Sequence, residues 1–323
     1  MGISVLLFAL GLVLLIKGGD WFVDGAAGIA RRLHLPDIIV GATVVSIGTT
    51  LPEVMVSTAG ALNGQGSMAY GNAIGSIICN TALIAAISVA INPGPTSAKT
   101  LKMPVLFFFL SAAIYCIAAY ITGEFTRGMG IVMLLVFIAY TILTVRQGLK
   151  NPTAAAGEDE EEASAPKKLW QELLFLVVGA ALIAVGADLL VDHGTIIATE
   201  LGVPETVIAL TFVALGTSLP ELITTITSLR KGHASLGIGN VIGANIFNLV
   251  LVSGISVTVA PFSVPAGNLL FGINSSLVLD IPLMLFVMLL LTLPALITKK
   301  LHRWQGIALL CIYAAFCILQ FSL

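Results

Sequence analysis

The sequence predicts an all-α membrane protein: ten transmembrane helices arranged as two inverted five-helix repeats, with the N-terminus and C-terminus outside. Three observations predict it. The 323 residues are 58% apolar and only 10% charged, and the mean hydropathy of +1.05 lies far above that of a water-soluble domain. Apolar runs of about 20 residues, the length that crosses a hydrocarbon core, recur along the chain. Residues of the first half also return at a constant offset in the second. The hydropathy leaves little chain for a soluble enzyme. Fifteen Lys+Arg against 17 Asp+Glu give a net charge of -2, without the basic excess that nucleic-acid binding uses.

Reading apolar runs between charges and Gly/Pro punctuation predicts helices over 3–31, 37–63, 67–92, 102–122 and 128–147, then 169–199, 205–229, 235–260, 280–298 and 304–322. The first run has no basic segment before it and continues through Lys17, Gly18, Gly19 and Asp20. It reads as part of the mature fold and not as a cleaved signal peptide. Residues 1–148 form the first five-helix repeat and 169–323 the second. Between them, 149–168 is an acidic cytoplasmic linker holding Glu158, Asp159, Glu160, Glu161 and Glu162, too polar to bury a core. Cys79, Cys116, Cys311 and Cys317 lie in apolar stretches without metal-ligand spacing.

The repeat is explicit. Asp20 and Asp188, Asp24 and Asp192, Pro36 and Pro204, Gly48 and Gly216, Pro52 and Pro220, Glu53 and Glu221, Asn72 and Asn240, and Asn80 and Asn248 are each 168 residues apart. Further on, Lys102-Met103-Pro104 matches Asp280-Ile281-Pro282 at an offset of 178. An odd number of spans per copy sends the second copy into the membrane the other way up. Loop charges agree: 13 of the 15 basic residues fall on one face, which the positive-inside rule makes cytoplasmic, and only Arg127 falls on the other. Asp280 then reads as a helix-start residue at the outer interface, and Asp20 as an i, i+3 partner of Lys17.

Carboxylates in mid-membrane are costly and mark function. Glu53 and Glu221 lie near the centres of their helices, each after a Gly-Thr-polar-Leu-Pro run: Gly48-Thr49-Thr50-Leu51-Pro52 and Gly216-Thr217-Ser218-Leu219-Pro220. Proline has no N–H and crowds the carbonyl four residues back, so Pro52 and Pro220 predict broken helices with bare carbonyls near Gly48 and Gly216. Thr43, Ser46, Thr50, Glu53 and Ser57 share one helical face, repeated as Thr211, Ala214, Ser218, Glu221 and Thr225. The next helix adds Asn72, Ser76 and Asn80, repeated as Asn240, Ala244 and Asn248, beside small pairs Gly71/Gly75 and Gly239/Gly243 that permit close helix approach. This all-oxygen donor set suits a hard cation such as Ca²⁺, which takes about six to eight oxygens. Two glutamates carry a charge that one Ca²⁺ or two monovalent cations would cancel, a physical basis for exchange.

These twin Gly-Thr-[Ser/Thr]-Leu-Pro-Glu and Gly-Asn-x-Ile-Gly signatures resemble those of the cation/calcium exchanger superfamily, and within it the prokaryotic sodium/calcium exchangers. The resemblance implies Ca²⁺ held by Glu53, Glu221, Thr49 and Thr217. It implies Na⁺ or auxiliary positions at Ser46, Thr50, Ser76 and Asn80, and at Ala214, Ser218, Ala244 and Asn248. It also implies that the first and sixth helices slide across the other eight. Exchangers of this type carry an aspartate where this chain has Asn248 and a serine where it has Ala244. A site of charge -2 therefore suggests one Ca²⁺ exchanged for two cations.

The sequence thus reads as a multi-pass antiporter of the cytoplasmic (inner) membrane that exchanges Ca²⁺ for Na⁺ by alternating access and normally extrudes Ca²⁺. A Ca²⁺/H⁺ exchanger using Glu53 and Glu221 as proton acceptors is the second reading, and a passive cation channel the third. The expected partners are the lipid bilayer and the ions Ca²⁺ and Na⁺. No cofactor, nucleic acid or protein partner is implied. P-loop, H-E-x-x-H and G-x-S-x-G motifs are absent, and Lys17 stands where an intramembrane aspartyl protease would need the first glycine of G-x-G-D.

Overall fold

A computed structural model describes residues 2–150, 168–201, 216–265, 269–270 and 272–322. Most of the linker, and 202–215 with Thr211 and Ala214, lie outside the described residues. The chain runs through α1 (Gly2–Leu33), α2 (Asp37–Thr49), α3 (Leu51–Leu62), α4 (Gly66–Ile91), α5 (Ala98–Thr122), α6 (Arg127–Lys150) and α7 (Leu169–Glu200). It continues through α8 (Leu219–Arg230), α9 (Ala234–Val259), α10 (Ser276–Thr298) and α11 (Arg303–Ser322). Among the described residues, eight helices are long and apolar enough to cross a membrane, and the bent pair α2–α3 makes a ninth.

Burial sorts these helices into a centre and a shell. Of the most apolar stretch, 72% is buried in α4 and 83% in α9, against 28% in α1 and 22% in α7. The central pair is therefore protein-packed on nearly every side, and the other two present most of their surface outward, as lipid-facing helices do. The main core joins Ile74, Ile77 and Phe108 of the first half to Val241, Phe247 and Met288 of the second.

Alpha-helical geometry loosens at matching places. Wide π turns run from Asn80 to Ala85 and from Asn248 to Val252, so both begin at an asparagine of the repeat. Such turns free backbone groups and recur at functional sites. No four-residue pattern announces them.

The glycine expectation holds in part. At Gly239 a Cβ would lie 2.2 Å from the Ile38 carbonyl oxygen, and at Gly243 2.3 Å from Ser46 Oγ, so α9 and α2 touch backbone to backbone. Around Gly71 and Gly75 no described atom comes within 4 Å of such a Cβ. A closer contact arises from a spacing of seven. Gly11, Gly18 and Gly25 of α1 face Gly186, Gly179 and Glu172 of α7 in antiparallel order, with added Cβ atoms 2.6–2.9 Å from the facing carbonyl oxygens. This period keeps one face of each helix toward the other over nearly its whole length.

The loops gather into two ends. Gly94-Pro95 pairs with Lys300-Leu301, Arg32 bonds Glu172, and His233 bonds Asp37, collecting five connections at what is called here the Lys150 end. Glu124-Phe125 pairs with Phe262-Ser263 at the opposite, Asn63 end. Two local expectations are corrected. The helix at 280 starts a turn earlier, at Ser276, so Asp280 lies inside it and accepts a hydrogen bond from Gln320 Nε2 at 3.3 Å. Asp20 is paired with Lys231 rather than Lys17, because α8 ends beside α1 and brings its following lysine across.

Candidate functional site

Each half supplies a 12-residue helix that starts after a residue of the same backbone conformation. Thr50 has φ -86° and ψ -3°, and Ser218 φ -89° and ψ 1°. The next segments, α3 and α8, are both 12 residues long with proline in the first turn. Pro52 offers no N–H to the Gly48 carbonyl, and α2 and α3 meet at a bend of 46°. The glutamate follows at once in the first turn of each new helix, near its partially positive end.

Glu53 and Glu221 are wholly buried and near enough to interact through their charges. Among the described residues neither carboxylate has a hydrogen-bond partner. The hydroxyls of Thr50 and Ser218, and the side-chain amides of Asn80 and Asn248, are equally buried and unpartnered. The π turn opening at Asn80 packs on α8, which carries Glu221, and the turn opening at Asn248 packs on α3, which carries Glu53. The structure thus draws together atoms that lie 168 residues apart. Together these residues carry four carboxylate oxygens, two hydroxyls and two amide oxygens, a donor set of the size Ca²⁺ accepts. Two buried anions without counter-charge demand a cation or protons.

The two threonines are linked to the asparagines of the opposite half. Thr49 Oγ1 donates to Asn240 Oδ1 at 3.1 Å, and Thr217 Oγ1 to Asn72 Oδ1 at 3.2 Å, each across the repeat boundary. A hydroxyl that donates its hydrogen turns its lone pairs outward, so both oxygens stay able to accept a cation. Ser46 Oγ is within reach of the Gly41 and Asn240 carbonyls at 2.8 and 2.9 Å, which ties it into the α2–α9 contact. Ser76 is buried on α4. Ala244 is buried without a polar atom, and Ala214 lies outside the described residues.

Asn72 and Asn240, expected on the oxygen stripe, act as braces. Asn72 Nδ2 donates to Ser57 Oγ at 2.8 Å and to the Glu53 carbonyl at 3.3 Å, fixing the turn that holds the glutamate. Their i+8 relation to Asn80 and Asn248 is visible in sequence, but which of them faces the carboxylates depends on packing. A small cavity lined by Phe22, Gly48, Thr49, Pro52, Ile183 and Pro220 lies where the α1/α7 pair crosses the two breaks.

Comparison with known proteins identifies the family. Residues 3–146 and 172–322 match the family described as sodium/calcium exchanger protein. The chain is 29% identical over 353 residues to the sodium/calcium exchanger MaX1 of Methanosarcina acetivorans, covering 99% of each protein. It is 35% identical over 306 residues to an uncharacterized membrane protein, MJ0091, of Methanocaldococcus jannaschii, covering 95% of this chain and 94% of that one. A structure of the sodium-calcium exchanger NCX_Mj soaked with 100 mM Na⁺ and 10 mM Sr²⁺ superposes with a TM-score of 0.80 at 33% identity, covering 98% of both chains.

Proposed function

We propose that this chain, which belongs to the sodium/calcium exchanger protein family, exchanges Ca²⁺ for Na⁺ across a prokaryotic cytoplasmic membrane and normally extrudes Ca²⁺. Family membership establishes a multi-pass cation/Ca²⁺ antiporter and not an enzyme. The observation that carries the finer reading is the pair of buried carboxylates, Glu53 and Glu221, one from each half, among unpartnered oxygens. In this reading Glu53, Glu221, Thr49 and Thr217 hold Ca²⁺. Ser46, Thr50, Ser76, Asn80, Ser218 and Asn248 supply neutral oxygens to Na⁺. The same reading takes the chain as ten helices in two inverted repeats with both termini outside, so that the centre sits in mid-membrane and either half opens to its own side.

Exchange follows from shared charge. The site cannot stay empty and ionised in a low-dielectric interior, so Ca²⁺ leaves as monovalent cations arrive. With Asn248 and Asn80 both neutral, the ionised charge is that of two glutamates, and one Ca²⁺ exchanges for two cations at this core. A reversal-potential measurement in proteoliposomes checks the ratio. A three-for-one result with all three ions at this site overturns it.

The two carboxylates also suit a second reading, Ca²⁺/H⁺ exchange, because protonation would neutralise them in place. Ca²⁺ uptake into Na⁺-loaded proteoliposomes with a protonophore present separates the two. Uptake that tracks the Na⁺ gradient is expected. Uptake that ignores Na⁺ and needs a pH gradient assigns proton coupling.

A further inference from the structure

Outside their mutual glycine contact, α1 and α7 touch the rest of the bundle lightly, chiefly along α8. At the Lys150 end the side chain that follows α8 ties α1 down. Lys231, the residue after α8, donates from Nζ to Asp24 Oδ1 at 2.7 Å and to the Asp20 main-chain carbonyl at 2.9 Å. A carboxylate oxygen of Asp20 completes the clamp at 3.7 Å. The ammonium is held by oxygens from successive turns of α1, as a free cation would be.

A polar stripe leads from the candidate site toward this clamp. Thr224, Thr225 and Ser228 follow Glu221 at i+3, i+4 and i+7 and so continue its face of α8. All three are buried, and among the described residues their hydroxyls have no hydrogen-bond partner. In an apolar helix such hydroxyls ordinarily bond back to the carbonyl at i-4. On the flank of the stripe, Thr227 Oγ1 lies 2.9 Å from where a Cβ on Gly19 would stand, so the stripe borders the α1 seam. The repeat-related positions are Val56, Ser57 and Gly60, with Asn63 in place of Lys231. Stripe and clamp therefore belong to one end only.

We propose that Lys231 is a tethered gate: clamped by Asp20 and Asp24, it closes the passage that Thr224, Thr225 and Ser228 form between Glu221 and the Lys150 end, and a cation passes only after Lys231 releases α1. What passes rests on the exchange reading above; the gate does not. The side chains of Lys231, Asp20 and Asp24 are 28%, 30% and 42% exposed, so the clamp is weak and salt-screened enough to open in every cycle.

The test is thiol accessibility from the Lys150 side. Ser228→Cys is introduced where the four native cysteines are replaced by alanine, and its labelling by a membrane-impermeant maleimide is timed in sided vesicles. Labelling is expected to be slow with Lys231 present and about tenfold faster in Lys231→Met, the change that 1.4 kcal/mol of clamp energy produces. Lys231→Arg should restore the slow rate. Labelling of Gly60→Cys from the Asn63 side should not accelerate. If Lys231→Met folds poorly, Asp20→Asn combined with Asp24→Leu removes both carboxylates of the clamp from α1. Equal Ser228→Cys rates with and without the clamp, or fast labelling with Lys231 intact, overturn the gate. Because the readout needs no transported ion, a protein that labels as expected yet fails to exchange Na⁺ for Ca²⁺ refutes the exchange reading alone.

Discussion

Beyond the two glutamates the halves part company. On α3 the face that continues from Glu53 carries Val56, Ser57 and Gly60, and Ser57 is engaged by Asn72. On α8 the same face carries Thr224, Thr225 and Ser228, none of them partnered among the described residues. Likewise Asp20 and Asp24 hold Lys231, whereas Asp188 and Asp192 are exposed and their repeat has Asn63 in the lysine's place. The centre is matched to within a few degrees of backbone torsion, but its two exits are not. On the site reading proposed above, a duplicated chain keeps a symmetric cage because both halves serve the same ion. It can still adjust each exit to the solution that exit meets.

The largest effect should come from the matched part. Glu53→Gln and Glu221→Gln are each expected to lower Ca²⁺ flux in proteoliposomes by about 10²-fold or more, since one missing charge leaves the other unbalanced. Elution as a monodisperse species in detergent would show that folding survives. Wild-type flux in either variant would end the site assignment and the symmetry with it.

Next come the breaks. Pro52→Ala restores an N–H that can engage the Gly48 carbonyl, and Pro220→Ala does so at Gly216. Each should weaken Ca²⁺ affinity by about tenfold while thermal stability holds or rises, because a helical hydrogen bond is regained. Unequal losses would show that the two breaks serve unlike purposes despite equal geometry.

The α1/α7 contact responds through stability. A Cβ at Gly18 would meet Leu182 Cβ at 2.8 Å and the Gly179 carbonyl oxygen at 2.9 Å. Gly18→Ala should therefore cost about 1–3 kcal/mol, read as a lower unfolding temperature in detergent, whereas Gly94→Ala, with nothing within 4 Å, should change little. The smallest effect separates the exits. Ser57→Ala removes the acceptor for Asn72 Nδ2 and should cost about 1 kcal/mol. Thr225→Val removes a hydroxyl with no described partner and should be neutral for stability while slowing flux. Equal stability losses would mean that Thr225 is bonded after all and that the exits are alike.

Much of this was legible in the amino-acid order. A hydrocarbon solvent imposes segment length and apolarity on each span, and a proline one residue before a mid-helix acid admits few structural outcomes. Most of the described helix positions, the breaks at Thr50 and Ser218, and the burial of Glu53 and Glu221 could therefore be read from local rules. The seven-residue glycine ladder of α1 and α7 was also present in the sequence, though a search confined to four-residue spacing passes over it.

Other features depend on which surfaces meet. Asn72 and Asn80 share one stripe, yet Asn72 is bonded to Ser57 and Thr217 while the Asn80 amide has no partner among the described residues. Asp20 has Lys17 one turn away and pairs instead with Lys231, 211 residues on. Local patterning dictates what each helix must bury and where it must break, because those costs are met within a single turn. The choice of partner for each polar atom is made between helices, where the distance across a packed seam, and not the distance along the chain, sets the energy.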